Sequence, residues 1–205
     1  MLRRNRKPDL YACPTEDGAI VLDLNAERYY TLANCDAFGS TDTRFFDSHG
    51  IRIACSAIDL EALSSVESTP SSPVTTVICL FALLRATLYV ALVQKMGGAK
   101  AVIHHLKHLK RAREPGSLPA APRFTLPSLT HAFRRLRPFL YTARDNCLFD
   151  AMVLATYLLA LGIDAVFVVA VRTQPFQAHA WTQSGNYLVD DYPEKVQLFT
   201  PILVV

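Results

Sequence analysis

Apolar and polar positions change their spacing several times along this chain, and each change marks an element. Ala19-Ile20-Val21-Leu22-Asp23-Leu24 and Arg28-Tyr29-Tyr30-Thr31-Leu32 are β-rich runs separated by Asn25-Ala26-Glu27, a hairpin signal within a set of small strands over residues 9–32. From 34 to 61 periodicity is weak, and the pattern predicts only a short helix over 36–46 and a strand at 51–55. Residues 64–73 are mostly Ser, Thr and Pro, a composition that cannot bury itself. They read as a linker between an N-terminal domain, 1–63, and the rest of the chain, 74–205. Residues 74–94 read as one helix and 98–113 as a second, with Gly97-Gly98 breaking them apart. A Pro-rich stretch over 114–127 then delivers a short helix, 128–137, that Pro138 ends. Residues 148–161 form a predominantly apolar segment, with Gly162 as the stop. After them come a β run over 163–173, Ala178-His179-Ala180-Trp181, a Ser184-Gly185-Asn186 turn, and Tyr187-Leu188-Val189-Asp190-Asp191.

Composition, at 51% hydrophobic and 19% charged, supports a real core and excludes a disordered chain. Charge distribution changes the picture more. The net charge is +3, yet residues 100–144 hold ten Lys or Arg against Glu114 alone, while the last sixty residues are acidic. Such a basic segment is most often a solvated helix face; the alternatives are contact with phosphate, an anionic peptide or a membrane surface. Cysteines at 13, 35, 55, 79 and 147 form no CxxC pair and fit neither a zinc site nor a disulfide scaffold, so a reducing compartment is expected and no metal. The basic N-terminus runs into Pro8-Asp9 instead of an apolar segment, which predicts a cytoplasmic protein without a secretory signal. Residues 74–93 are apolar enough to raise a transmembrane question. Arg85 at their centre favours a helix buried in protein, with no transmembrane segment, peripheral membrane contact left open and no nucleic-acid binding expected.

The chemistry lies between 145 and 191. Asp145-Asn146 supplies a cap, so Cys147 falls in the first turn of the apolar helix, where the helix dipole favours thiolate. A thiolate nucleophile needs a base and a third group that fixes the base's tautomer. His179 shares a strand face with Trp181 and Gln183. A three-residue loop at 184–186 would set Asp191 opposite His179, whereas a two-residue turn at 185–186 would put Asp190 on that face. Period counting leaves both open. Each residue also has a plainer role: Cys147 as a packing thiol, His179 as a hydrogen-bonded structural side chain, Trp181 as core and the two aspartates as a strand end. The joint arrangement in one order is what favours a site.

Gly162-Ile163-Asp164-Ala165, Val171-Arg172-Thr173-Gln174-Pro175-Phe176 and His179-Ala180-Trp181, with an aspartate twelve residues after the histidine, resemble the B proteins of lasso peptide biosynthesis. The resemblance is to their single-chain proteobacterial type. It implies an α+β fold with a papain or transglutaminase-like core, the Cys helix packed on an antiparallel sheet. It further implies a cysteine peptidase that removes the leader from a ribosomal precursor peptide, with Cys147 as nucleophile, His179 as base and Asp191, favoured by the twelve-residue interval, as orienting acid. ATP serves the overall process on the partner, an asparagine-synthetase-like cyclase, since this chain has no GxxxxGK[ST] loop. The N-terminal hairpin resembles the small precursor-recognition domain related to the peptide chaperone of pyrroloquinoline quinone biosynthesis. In that fold a leader adds to a sheet edge as an extra strand, which implicates Leu22, Leu24, Tyr29 and Tyr30 in peptide binding. The rival readings are an acyl transferase on the same fold and a non-catalytic module that delivers precursor to the cyclase.

Overall fold

The computed structural model describes residues 9–15, 18–33, 50–53, 58–70, 72–112, 124–142 and 146–205. Two sheets and a helical layer make up the α+β architecture. The first sheet is formed by β1 (Leu10–Thr15), β2 (Gly18–Asp23), β3 (Arg28–Ala33) and β4 (Ile51–Ile53) in the order β3-β2-β1-β4. The hairpin expected at 25–27 is present, with Asp23 paired to Arg28 and Leu22 to Tyr29. The short helix expected over 36–46 lies outside the described residues.

The long apolar and basic stretches join in α1 (Pro73–Arg111), which Ser72 caps by accepting a hydrogen bond from the Thr75 amide at 3.2 Å. The predicted break is present as a kink at Gly98, whose φ of 69° and ψ of −174° are not helical. The first half of α1 is not buried in protein as expected. Cys79, Leu83, Ala86 and Val90 form one packed stripe, while Phe81, Leu88 and Leu92 face outward at 67%, 56% and 60% exposure. By length and composition alone the helix could cross a membrane, and 22% of its most apolar window is buried. The basic half is not simply a solvated face. Lys100 donates to Asn25 at 2.6 Å and pairs with Asp9 at 3.4 Å, and Lys107 donates to the Tyr11 hydroxyl at 2.7 Å, so these cations fasten α1 to the first sheet.

Two shorter helices follow: α2 (Leu126–Leu136), continued by a 3-10 turn at Arg137–Phe139, and α3 (Cys147–Ala160). Nine residues of α3 in succession, Ala151 to Leu159, are buried, because α1 covers one side and the second sheet the other. Gly162 then takes a φ of 95°, the left-handed stop that its position predicted.

The second sheet has the order β5-β8-β7-β6-β9, from β5 (Ser64–Ser65), β6 (Val166–Thr173), β7 (Phe176–Ser184), β8 (Tyr187–Leu188) and β9 (Thr200–Val204), with a one-turn helix α4 (Pro193–Val196) before β9. Its pairings are antiparallel except β5 to β8. The linker reading of 64–73 therefore needs correcting at its start. Ser64 and Ser65 pair with Tyr187 and Leu188, and the flanking Leu63 and Val66 are buried, so polar composition there reflects an edge strand with buried neighbours. β9 was not expected; its apolar Ile202 and Leu203 enter the main core.

Candidate active site

Three elements deliver the predicted triad. Asn146 accepts the Phe149 amide at 3.1 Å and thereby caps α3, placing Cys147 in its first turn at the positive end of the helix dipole. Asp145 is outside the described residues. One turn further along, Thr182 of β7 donates its hydroxyl to the Ala151 carbonyl at 2.8 Å and fixes the helix on the strand. Among the described residues the edge of β7 facing β8 is paired only near its end, since β8 is two residues long and pairs at Gln183 and Ser184. Cys147 lines one cavity with His179 and Ala180, close enough for the imidazole and the Ala180 backbone to act on its thiol.

His179 Nε2 lies 2.5 Å from Asp191 Oδ2 with both residues buried, at 7% and 6% exposure. That leaves Nδ1 for the thiol. Asp191 Oδ1 also accepts the Tyr192 amide at 3.0 Å, and Lys195 approaches the carboxylate at 3.3 Å. Ser65 donates to the Asp191 carbonyl at 3.2 Å, so the short β5 strand helps hold the acid in place. Trp181 stacks near His179, with ring centroids 6.1 Å apart, and donates its indole N–H to Gln183 Oε1 at 2.9 Å. Gln183 is thus a support for Trp181.

The structure brings Asp191 to His179, but not by the register that favoured it. The turn at Gly185 and Asn186 has two residues, pairing Ser184 with Tyr187 and Gln183 with Leu188. Regular alternation would then put Asp190 on the histidine face. The ladder ends at Val189, whose amide reaches the Thr182 carbonyl, and bends over 190–191 break the alternation. Asp190 turns to Arg134, at 3.0 Å, and to Arg137. Arg137 also pairs with Asp150 at 2.9 Å, and Tyr141 donates to Asp150 at 2.7 Å. Here too cations of the basic segment meet internal acids. Lys195 and this cluster went unrecognised in the sequence, although Asp191 and Lys195 at i,i+4 spacing were the visible sign of one contact.

The electrostatics favour an ion pair. The hydrogen bond from His179 lowers the Cys147 pKa, against the opposing effect of burial, with help from the Ala180 amide. Burial disfavours charge on His179, but its bonds to Asp191 and Cys147 outweigh it and raise the imidazole pKa. For Asp191, too, burial opposes ionisation, and the bonds from His179 and the Tyr192 amide overcome it, so its pKa falls. Burial raises the Asp150 pKa even though Tyr141 and Arg137 favour its charged form. A cavity of about 300 Å³ opens onto Cys147, His179 and Asp191, with Arg137 and Lys195 at its walls. Among the described residues no cluster of His, Cys, Asp and Glu could hold a metal ion.

The four residues expected to bind peptide divide. Leu22 and Leu24 are buried in the main core, so their side chains are not available to a ligand; that part of the expectation needs correcting. Tyr30 is 48% exposed. Tyr29, on the same strand, packs edge-on against Phe176 with centroids 5.5 Å apart, and burial together with the negative charge of Cys147 pushes its pKa up to about 12. β3 therefore borders the site.

No solved structure matches this chain. A stretch of 50 residues is 38% identical to the microcin J25-processing protein McjB of Escherichia coli, and the alignment takes in 24% of this chain and 24% of that protein. The sequence pattern of the transglutaminase-like superfamily matches residues 79–204, which span α1 through β9 and include the cysteine, histidine and aspartate described above. With more than half of its length in that match, the chain belongs to the transglutaminase-like superfamily.

Proposed function

We propose that this protein is a cytoplasmic cysteine peptidase that cuts a ribosomal lasso precursor between leader and core, before an asparagine-synthetase-like cyclase closes the ring. The observation that carries this reading is the joined set Cys147, His179 and Asp191, with His179 Nε2 2.5 Å from the Asp191 carboxylate and all three residues lining one cavity. The likeness to McjB, a microcin-processing protein, supports the choice of substrate. In the reaction the Cys147 thiolate attacks the scissile carbonyl, and the backbone N–H of Cys147 is placed to stabilise the oxyanion. His179 gives the proton at Nδ1 to the leaving amine, and a thioester remains on Sγ. The imidazole then takes a proton from water, the hydroxide attacks the thioester, and the proton returns to sulfur as the acid product leaves. Asp191 holds the tautomer throughout. The leader adds along β3, next to Tyr29 and Tyr30, and ATP is consumed by the partner.

The test is to incubate the protein with the precursor encoded beside it, with and without cyclase and ATP, and to read the masses. Hydrolysis adds the mass of water across two fragments, and Cys147→Ala abolishes it while leaving precursor binding intact. Processing by Cys147→Ala at the wild-type rate would defeat the mechanism; amine incorporation instead of water would establish the acyl-transferase alternative.

A further inference from the structure

A second cavity, about 570 Å³, lies at the junction of the two sheets, lined by Thr15 at the end of β1, Arg172 and Thr173 at the end of β6, and Leu198 and Thr200 before and within β9. Among the described residues Arg172 is its only ionised lining group, and it makes no ion pair. Its Nε is fully shielded from solvent and has no hydrogen-bond partner. The guanidinium lies over Phe199, 5.5 Å from the ring centroid, and the other neighbour of that ring is His179, with centroids 5.3 Å apart. Register gives the same proximity. Ala170 pairs with His179 and Arg172 with Gln177, so Arg172 shares the histidine's face of the sheet, two residues along, about 7 Å.

A shielded guanidinium nitrogen without an acceptor is costly unless a ligand supplies one. The planar fork fits a carboxylate, and three threonines, Thr15, Thr173 and Thr200, line the same cavity. A single cation with no glycine-rich loop suits a carboxylate better than a polyphosphate. An extended peptide advances about 3.3 Å per residue, so the offset of about 7 Å between His179 and Arg172 along the sheet corresponds to roughly two residues of a bound chain. We propose that Arg172, with Thr15, Thr173 and Thr200, forms a subsite for an acidic side chain of the substrate peptide, within three residues of the bond that is cut. The proposal rests on the peptidase reading for the location of that bond. Because Thr15 belongs to the first sheet and Arg172 to the second, the subsite is complete only when both units are docked.

The experiment uses the full chain and a set of peptides based on the precursor encoded beside it, carrying Glu or isosteric Gln at each position within three residues of the cleaved bond. Wild-type protein should prefer Glu at one position by roughly 10- to 100-fold in kcat/KM. In Arg172→Gln the ratio of kcat/KM for the Glu peptide over the Gln peptide should fall to about one, whatever the absolute rate, and Arg172→Lys should keep part of the preference. Equal kcat/KM for Glu and Gln at every position in the wild type, a result that needs no variant, would overturn the subsite. Should no peptide be cut, so that the peptidase reading itself fails, fluorescence anisotropy of the same labelled peptides with Cys147→Ala still decides. A Kd that depends on Glu and on Arg172 supports the subsite, and Kd values equal for Glu and Gln overturn it.

Discussion

Replacing the two adjacent aspartates one at a time separates the triad from the ion-pair cluster beside it. Asp191→Asn removes the carboxylate that meets His179 Nε2 at 2.5 Å. A buried hydrogen bond to a charged group contributes about 1.5–3 kcal/mol, and 1.36 kcal/mol corresponds to one pKa unit, so the imidazole loses roughly one to two units of basicity. The thiolate of Cys147 is held chiefly by that imidazole. Alkylation of Cys147 by iodoacetamide near neutral pH, followed by peptide mapping, should therefore slow by roughly 10- to 100-fold. Asp190→Asn removes a partner of Arg134 and Arg137, but Arg137 keeps Asp150 at 2.9 Å. Its effect should fall on stability, about 1–3 kcal/mol, or roughly 3–10 °C in Tm for a domain of this size, with alkylation changed by less than about twofold. An Asp191→Asn protein that alkylates at the wild-type rate, or an Asp190→Asn protein as slow as Asp191→Asn is meant to be, would refute the assignment.

Four further outcomes follow. The rate of Cys147 alkylation plotted against pH should show a reactive plateau that begins below the thiol's ordinary 9.0 and ends in a second step above imidazole's ordinary 6.5, because the pair holds Cys147 low and His179 high; a single step at the ordinary thiol position would contradict the ion pair. Linkage gives the matching stability profile. The raised His179 stabilises below its unfolded value and loses that effect as pH climbs through the folded one; the lowered Asp191 stabilises above its unfolded value and loses it as pH falls, so urea unfolding should show stability declining on both sides. Gln183→Leu leaves the buried indole N–H of Trp181 without its acceptor and should cost about 1–3 kcal/mol in the same measurement. Gly98→Ala should cost at least roughly 1–3 kcal/mol, since φ is 69° and the new Cβ would stand 2.2 Å from Glu27 Oε1.

What the sequence made legible was local. The cap at Asn146, the apolar helix, the stop at Gly162 and the break at Gly98 each depend on a residue and its neighbours, and all are where the pattern predicted them. Asp191 shows the limit. Alternation along a strand carries information only while the ladder lasts, and here it stops at Val189, so counting from the two-residue turn that forms would point to Asp190 although Asp191 is the residue that meets His179. The twelve-residue spacing that accompanies the family motifs carried what the period could not. Composition misled at Ser64-Ser65, where two serines complete a sheet edge, and over 74–93, where apolar character did not mean burial on all sides. Long-range polar contacts are the least visible of all: Arg134, Arg137, Lys100 and Lys107 look like a basic surface until folding brings each a partner 53 to 96 residues away, with Arg137 also reaching the nearer Asp150.

Those long-range contacts also tie the first sheet to the chemistry. Glu27, at the turn between β2 and β3, accepts the Ala99 amide at 2.6 Å and so caps the second half of α1 where Gly98 interrupts it. Asp9, 7% exposed, meets Arg52, Lys100 and His104; burial opposes its charge, but Lys100, Arg52 and Lys107 outweigh that and lower its pKa. Two residues beyond Glu27, Tyr29 meets Phe176, the first residue of the strand that carries His179. Among the described residues β3 pairs only with β2, leaving its other edge open. A peptide added along that edge, as proposed, would lie against Tyr29 and Phe176 and would reach the cysteine within a few residues. Selection of the peptide and cutting of the bond then share one continuous surface, and a substitution such as Gly98→Ala that shifts the first sheet should raise KM for precursor before it changes alkylation of Cys147.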